Sequence, residues 1–488
     1  MEKNRAIEQL QPTAVWQNFK ALTQIPRPSG KRDLIAKYLV DFGKNRGLES
    51  FEDEAGNVII RKPATPGLEN LKGVILQGHM DMVPQKNASV NHDFEKDPID
   101  AYIDGEWVAA NQTTLGADNG IGVAAALSVL QSKEIPHGPL EVLITADEET
   151  GMYGAVGLKN GTLKGEVLLN MDSEDEGELY VGCAGGINGK ISFAYKEEPV
   201  YHGDVAYKIS LTGLKGGHSG MDINLGRANA NKLLFRLLKY VVSSFEARLA
   251  SVEGGNLRNA IPREAFAVVT VPEEGQDDLL TALSEMEATF KSEYGVIEPG
   301  LKITAEPVDL PEGLMPEFVQ DDLINSITAC PNGVLRFTPG MGDVVETSSN
   351  LAIVKSDGSS IQVAFLIRSS VESMKEELCS MIESVFSLAG AKVEFSGGYP
   401  GWQPNFDSPI LKVMSAVYNE KFGKKPEIKV IHAGLECGII GSAIPGLDMI
   451  SFGPTIRHPH SPDEKVNIAT VAKFWDYLTA ALKSIPVK

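Results

Sequence analysis

The chain has 488 residues, 43% of them hydrophobic and 23% charged, enough for about three domain-sized units and outside the range of disordered or collagen-like sequences. Its 65 acidic against 45 basic residues leave a net charge of −20, which repels phosphate and speaks against a nucleic-acid partner. No stretch approaches the ~20 apolar residues of a membrane span, the opening MEKNRAIEQL lacks the apolar core of a signal peptide, and the four cysteines form no CxxC pair, so a soluble cytoplasmic protein is expected.

In chain order, residues 13–49 read as a helix pair broken at Ile25-Pro26-Arg27-Pro28-Ser29-Gly30. Apolar strands follow at 57–60, 73–77, 140–145 and 165–170, with a small-residue, buried helix predicted over 116–131. Strands that alternate with helices, several of them continuous apolar runs, predict an α/β domain with a largely parallel sheet and helices on both faces. After about residue 192 the texture becomes α+β, with strands at 206–212, 265–271, 361–367 and 391–395 and amphipathic helices over 226–249, 277–293 and 371–388. Asn259-Ala260-Ile261-Pro262 and Asn350-Leu351-Ala352-Ile353 each precede a strand-then-helix unit, which suggests a duplication. Beyond 395 come buried strands at 428–431 and 447–452 and a last helix near 467–484. The expectation is one α/β domain made of residues 1–192 and 392–488, with an α+β domain, 193–391, inserted between.

Five short segments carry chemistry, and four of them follow predicted strands, at the edge where open α/β sheets bind ligands. Gln77-Gly78-His79-Met80-Asp81 sets a histidine at a strand end, with Asp81 able to fix its tautomer. Leu115-Gly116-Ala117-Asp118-Asn119-Gly120 sets a carboxylate in a glycine-rich turn at a helix mouth, where a simple helix cap is the plainer reading. Ala146-Asp147-Glu148-Glu149 crowds carboxylates after a buried strand; they require a cation or a shared proton, one acid ligating and another left free as base. Asn170-Met171-Asp172 repeats the strand-end carboxylate, and Arg457-His458-Pro459-His460 brings a late histidine in a proline-stiffened loop. Singly, each reads as cap, solvated acid or hydrogen-bonded histidine. Jointly, imidazole and carboxylate without thiolate suit zinc, manganese or cobalt. A glycine-rich phosphate cradle at 116–122 is disfavoured, since it lacks GxxxxGK[ST] and holds Asp118 where phosphate would sit.

GHMDMVP, LGADNGIG, ADEETG, NMDSED and RHPHSPDE, in that order, resemble the motifs of the aminoacylase, carnosinase and carboxypeptidase-G family of di-metal exopeptidases. The resemblance runs nearly end to end, inserted lid included. It implies two divalent metal ions, zinc foremost with cobalt or manganese as substitutes, one held by His79 and Asp172, the other by Glu149 and His460, with Asp118 bridging. It further implies that Asp81 orients His79 and that Glu148 is the general base. Gly216-Gly217-His218-Ser219-Gly220 resembles the family's lid segment, which makes His218 the oxyanion donor. Arg368 and Asn259 would meet the substrate carboxylate, and Gly434 and Glu436 would line the pocket, with Glu436 meeting the substrate amine. The implied activity is hydrolysis of dipeptides with broad specificity, Xaa-His such as β-alanyl-histidine among them. The same metal site could instead serve an N-acyl amino acid deacylase or a tripeptidase. Small peptides are the expected partners, with no nucleic acid or membrane, and the lid resembles those that form homodimers.

Overall fold

The computed structural model describes residues 3–488, which divide into two units: residues up to Gly182 with Trp402–Val430 and Leu435–Lys488, and Cys183–Gly401 with Ile431–Gly434.

The first unit is built on an eight-stranded sheet whose order is 49–52, 58–62, 140–145, 74–79, 167–170, 448–451, 178–183, 427–431. Its middle four strands are parallel, as the buried runs Val74–His79 and Leu140–Thr145 foretell. The flanks correct the expectation of a largely parallel sheet: 49–52 and 58–62 run antiparallel, as does 178–183 against 448–451. The tight turn between Glu52 and Val58 is too short for a parallel crossover. Helix Ala117–Gln131 has almost no polar face and sits wholly in the core beside helix Thr13–Thr23 and strand Val74–His79. Helices Pro409–Phe422 and Ile468–Lys483 close the same core, which joins Phe19, Leu76, Val142, Leu169, Phe452 and Leu478. A smaller antiparallel sheet, in the order 456–457, 465–467, 107–110, 101–104, makes residues 458–464 a hairpin loop.

The second unit has one nine-stranded antiparallel sheet and a core of its own, drawn from four helices and the sheet. Its chain path resolves into two βαββαβ halves. One comprises strands 204–212, 248–254, 265–272 and 302–308 with helices 230–245 and 276–294. The other comprises strands 185–194, 345–356, 360–369 and 392–399 with helices 317–329 and 372–388. Numbering the strands within each half, both are ordered 4-1-3-2, and the halves join edge to edge at Glu253↔Lys355 and Gly254↔Val354. This is a duplication at the level of topology, with the first half threaded into the second after its opening strand. Strands 185–194 and 392–399 pair through Lys392↔Ser192, which carries the unit beyond the expected 193–391 at both ends. The helix expected over 226–249 stops at Phe245, where Glu246 takes φ 54, and strand Arg248–Gly254 begins.

Candidate metal centre and active site

His79 ends strand Val74–His79 and is 1% exposed. Its Nδ1 faces Asp81, 3.1 Å from the backbone oxygen and 3.4 Å from Oδ1. Its Nε2 is 3.0 Å from Asp118 Oδ1 and 3.3 Å from Asp172 Oδ1. Across Asp118, His460 Nε2 lies 3.3 Å from Oδ2 and 3.0 Å from Glu149 Oε2. It is His460, not His458, that faces these acids from the hairpin loop. Two groups of three facing ligand atoms therefore share Asp118: His79, Asp118 and Asp172, and Asp118, Glu149 and His460. A further grouping brings Glu148 to His79 and Glu149.

Local structure explains the placement. Asp118 opens helix Ala117–Gln131 with non-helical backbone, and Asn119 behind it donates to Met171 O at 2.7 Å, which ties that helix start to the segment carrying Asp172. A side chain at Gly78 would put its Cβ 2.2 Å from Asn119 Oδ1, so only glycine lets the strand pass. Asp81 does more than the sequence shows. Its carboxylate accepts from Glu148 N (3.0 Å), Glu149 N (3.3 Å) and Ser29 Oγ (2.7 Å), and so sets the turn that presents both glutamates.

The electrostatics ask for positive charge. Burial lowers the affinity of His79 for a proton, yet Asp172 and Asp118 opposite raise its pKa well above the ordinary value. Hydrogen bonds donated by His460 to Asp118 and Glu149 lift its pKa to about 11. Burial lifts Asp172 to about 6 and pushes Glu148 well above the usual range, with Asp172, Glu436 and Glu149 adding to it. Glu149 Oε1 and Asp172 Oδ1 are buried without a hydrogen bond. Orphaned carboxylate oxygens among imidazoles, with no thiolate, fit a pair of divalent cations.

The lid residues expected from the sequence gather in the second unit. His218 Nδ1 accepts from Gly220 N (3.1 Å) and Met221 N (2.9 Å), which leaves the proton on Nε2, and burial with Arg368 nearby keeps the ring neutral. Asn259 is exposed, and its backbone oxygen holds Ser219 N at 2.9 Å. Arg368 is 5% exposed, and its Nη1 donates to the Tyr399 hydroxyl at 3.2 Å while Nε has no partner. A Cβ on Gly220 would meet His432 O at 2.0 Å and both Arg368 Nε and His218 Cε1 at 3.2 Å, so the close approach of these residues depends on that glycine. Gly434 ends this unit's short segment 431–434 and is partly exposed.

Glu436 corrects an expectation. It is fully buried inside the first unit, with Oε2 accepting from Gln77 Nε2 (2.6 Å) and Thr145 Oγ1 (2.7 Å), and burial raises its pKa to about 8. It is a core carboxyl under the strand ends rather than a pocket wall that meets a substrate amine. Sequence reasoning passed over two residues: His432, which faces Ser348 Oγ at 2.7 Å, and Glu464, whose carboxylate gathers four backbone N–H groups. Glu464 follows His460 by four residues, a spacing that was the available signal; at the end of a proline turn it passes for a solvated acid. A cavity of about 430 Å³ lined by Arg61, Leu140, Glu141 and Lys164 opens at the amino ends of the parallel strands, away from these groups, and its Arg61 is paired with Glu49 and Glu141.

Residues 75–484 match the Peptidase family M20/M25/M40. The chain is 46% identical over 482 residues to the cytosol non-specific dipeptidase of Escherichia coli K12, with 99% of each chain covered. It superposes on the aminoacylhistidine dipeptidase of Vibrio alginolyticus with a TM-score of 0.95 and 50% identity, covering 99% of this chain and 98% of that one. The aminopeptidase PepT of Bacillus cereus shares the fold, with a TM-score of 0.57 and 17% identity over 98% of this chain and 99% of that one. No described helix is long and apolar enough to cross a membrane. Likeness over the whole length, on top of a family match spanning most of it, means that this chain belongs to the M20/M25/M40 peptidases and is a metal-dependent exopeptidase.

Proposed function

We propose that the protein is a broad-specificity dipeptidase whose substrates include Xaa-His dipeptides such as β-alanyl-histidine. The observation that carries this reading is Asp118, shared between two three-residue groups while Glu148 stands beside them unpaired with His460. Near-identity in length to relatives named as dipeptidases supports the substrate class.

His79 and Asp172 would hold one divalent ion, Glu149 and His460 the other, and Asp118 both. The donor set favours zinc, with cobalt or manganese able to replace it. When bound, the ions supply Lewis acidity that lowers the pKa of a water and polarises the scissile carbonyl. Asp81 holds His79 by its Nδ1 side and fixes the turn of the two glutamates. Glu148, its proton affinity raised by burial, takes the water's proton and returns it to the leaving amine. His218 offers a neutral Nε2–H to the developing oxyanion. Arg368, buried with a free Nε, matches a substrate carboxylate, and Asn259 and Gly434 are the further residues assigned to the substrate. A cytoplasmic homodimer is the assembly we favour. The inserted unit's strand Gly333–Phe337 exposes Leu335 and Phe337, apolar side chains of the kind a second subunit would cover.

The test is hydrolysis of β-alanyl-histidine, alanyl dipeptides, a tripeptide and N-acetyl amino acids before chelation, after it, and after metal return. Dipeptides are expected to be cleaved fastest, with activity lost on chelation and regained with zinc. Hydrolysis that survives complete metal removal, or a preference for N-acetyl amino acids, overturns the reading.

A further inference from the structure

Glu464 is 2% exposed, and its two oxygens serve four consecutive backbone donors. Oε2 accepts from Leu115 N (2.7 Å) and Gly116 N (2.8 Å), and Oε1 accepts from Ala117 N (2.7 Å) and Asp118 N (3.2 Å). The residue closes the hairpin loop that carries His460 and directly precedes Lys465, which pairs with Ala109 on the strand leading into the Asp118 segment. On the same segment, Arg27 Nη2 donates to Gly116 O at 2.5 Å while Nη1 donates to Met80 O and Asp81 O, each at 3.1 Å. The 115–118 turn is thus held by an acceptor from the His460 loop and by a donor that also holds the His79–Asp81 turn.

We propose that Glu464 is a positioning residue that fixes the separation of Asp118 from His460, and so governs retention of the metal ion on the Glu149–His460 side. The proposal rests on the ligand assignment given under the proposed function. Only a carboxylate offers enough lone pairs on two oxygens for four N–H groups. Glutamine would keep the shape but turn an NH2 towards two donors, and aspartate falls one methylene short of the turn. A residue that merely capped helix Ala117–Gln131 would change the stability of the apoprotein and leave metal binding as it was.

Full-length wild type, E464Q and E464D are stripped of metal and titrated with Zn²⁺ by calorimetry, and with Co²⁺ by visible absorption, with bound metal counted after gel filtration. Wild type is expected to take two ions per chain. E464Q should keep one and bind the second about 10- to 100-fold more weakly, the direction also expected of H460A, with kcat restored by excess metal. Two ions at wild-type affinity in E464Q would overturn the proposal, even if its melting temperature falls. Should E464Q fail to fold, E464D is read by the same criterion. Failure of the wild type to bind two ions would instead refute the ligand assignment, so the two failures are distinguishable.

Discussion

Glu148 and Glu149 are chemically identical neighbours given different surroundings. Glu149 faces His460 at 3.0 Å, whereas Glu148 has no ion-pair partner among the described residues and lies half-buried near Asp172, Glu149 and Glu436. Each further carboxylate charge makes ionisation of Glu148 harder, which suits a base that must hold a proton part of the time. Glu148→Gln should therefore lower kcat by about 10²- to 10⁴-fold while both metal ions stay bound, as steady-state rates and metal content together would show. Because the base works ionised and its pKa is raised, the acid limb of kcat/KM should lie nearer neutrality than an ordinary glutamate would place it. At this scale much was legible in the sequence. His79, Glu148, Glu149 and Asp172 stand at or just beyond the ends of apolar strands, where side chains have few other uses. Glu436 was placed in the pocket by resemblance alone, and nothing local says that Gln77 and Thr145 will enclose it.

Among the elements, helix Ala230–Phe245 shows how one polar residue joins the two halves of the inserted unit. Asn229 caps it, accepting from Lys232 N at 3.2 Å, while its Nδ2 donates to Leu351 O (2.9 Å) and Asn332 Oδ1 (3.2 Å) in the other half. Asn229→Ala removes the cap and leaves a buried carbonyl unpaired, at a cost of about 1–3 kcal/mol. Urea unfolding should show a lower midpoint with an unchanged slope, and the folded fraction should keep its kcat; a midpoint equal to wild type would contradict this. The Asn-led tetrapeptides did not mark the duplication: residues 259–262 lie between strands Arg248–Gly254 and Ala265–Pro272, whereas residues 350–353 lie inside strand Val345–Ser356. Its strand-then-helix pairs were visible as apolar strands followed by amphipathic helices. The strands 185–194 and 302–308 were not, since their pairing partners lie far away in sequence and neither has a strong apolar run of its own.

For the whole molecule, stability against acid should carry the mark of His432. Burial, with Arg368 close by, lowers its pKa from 6.5 to about 3. Below pH 6.5 the unfolded chain gains a proton that the native state refuses, so this residue removes stability progressively from pH 6.5 down to about 3, approaching 1.4 kcal/mol per pH unit. Above 6.5 it contributes no slope. His432→Asn should flatten that limb: urea midpoints measured at pH 7 and 4.5 should differ less in the variant than in wild type, and an equal difference would refute the assignment. By itself the sequence determined the family, the order of the apolar strands and the residue types of the metal centre, because hydrophobic runs and strand-end acids are local features. Only the tertiary structure decided that Glu464 holds the turn of Asp118 and that the sheet is antiparallel at its edges. Those outcomes depend on segments as far apart as residues 115 and 464 meeting in a buried interior, where each polar group must find a partner that no local pattern names.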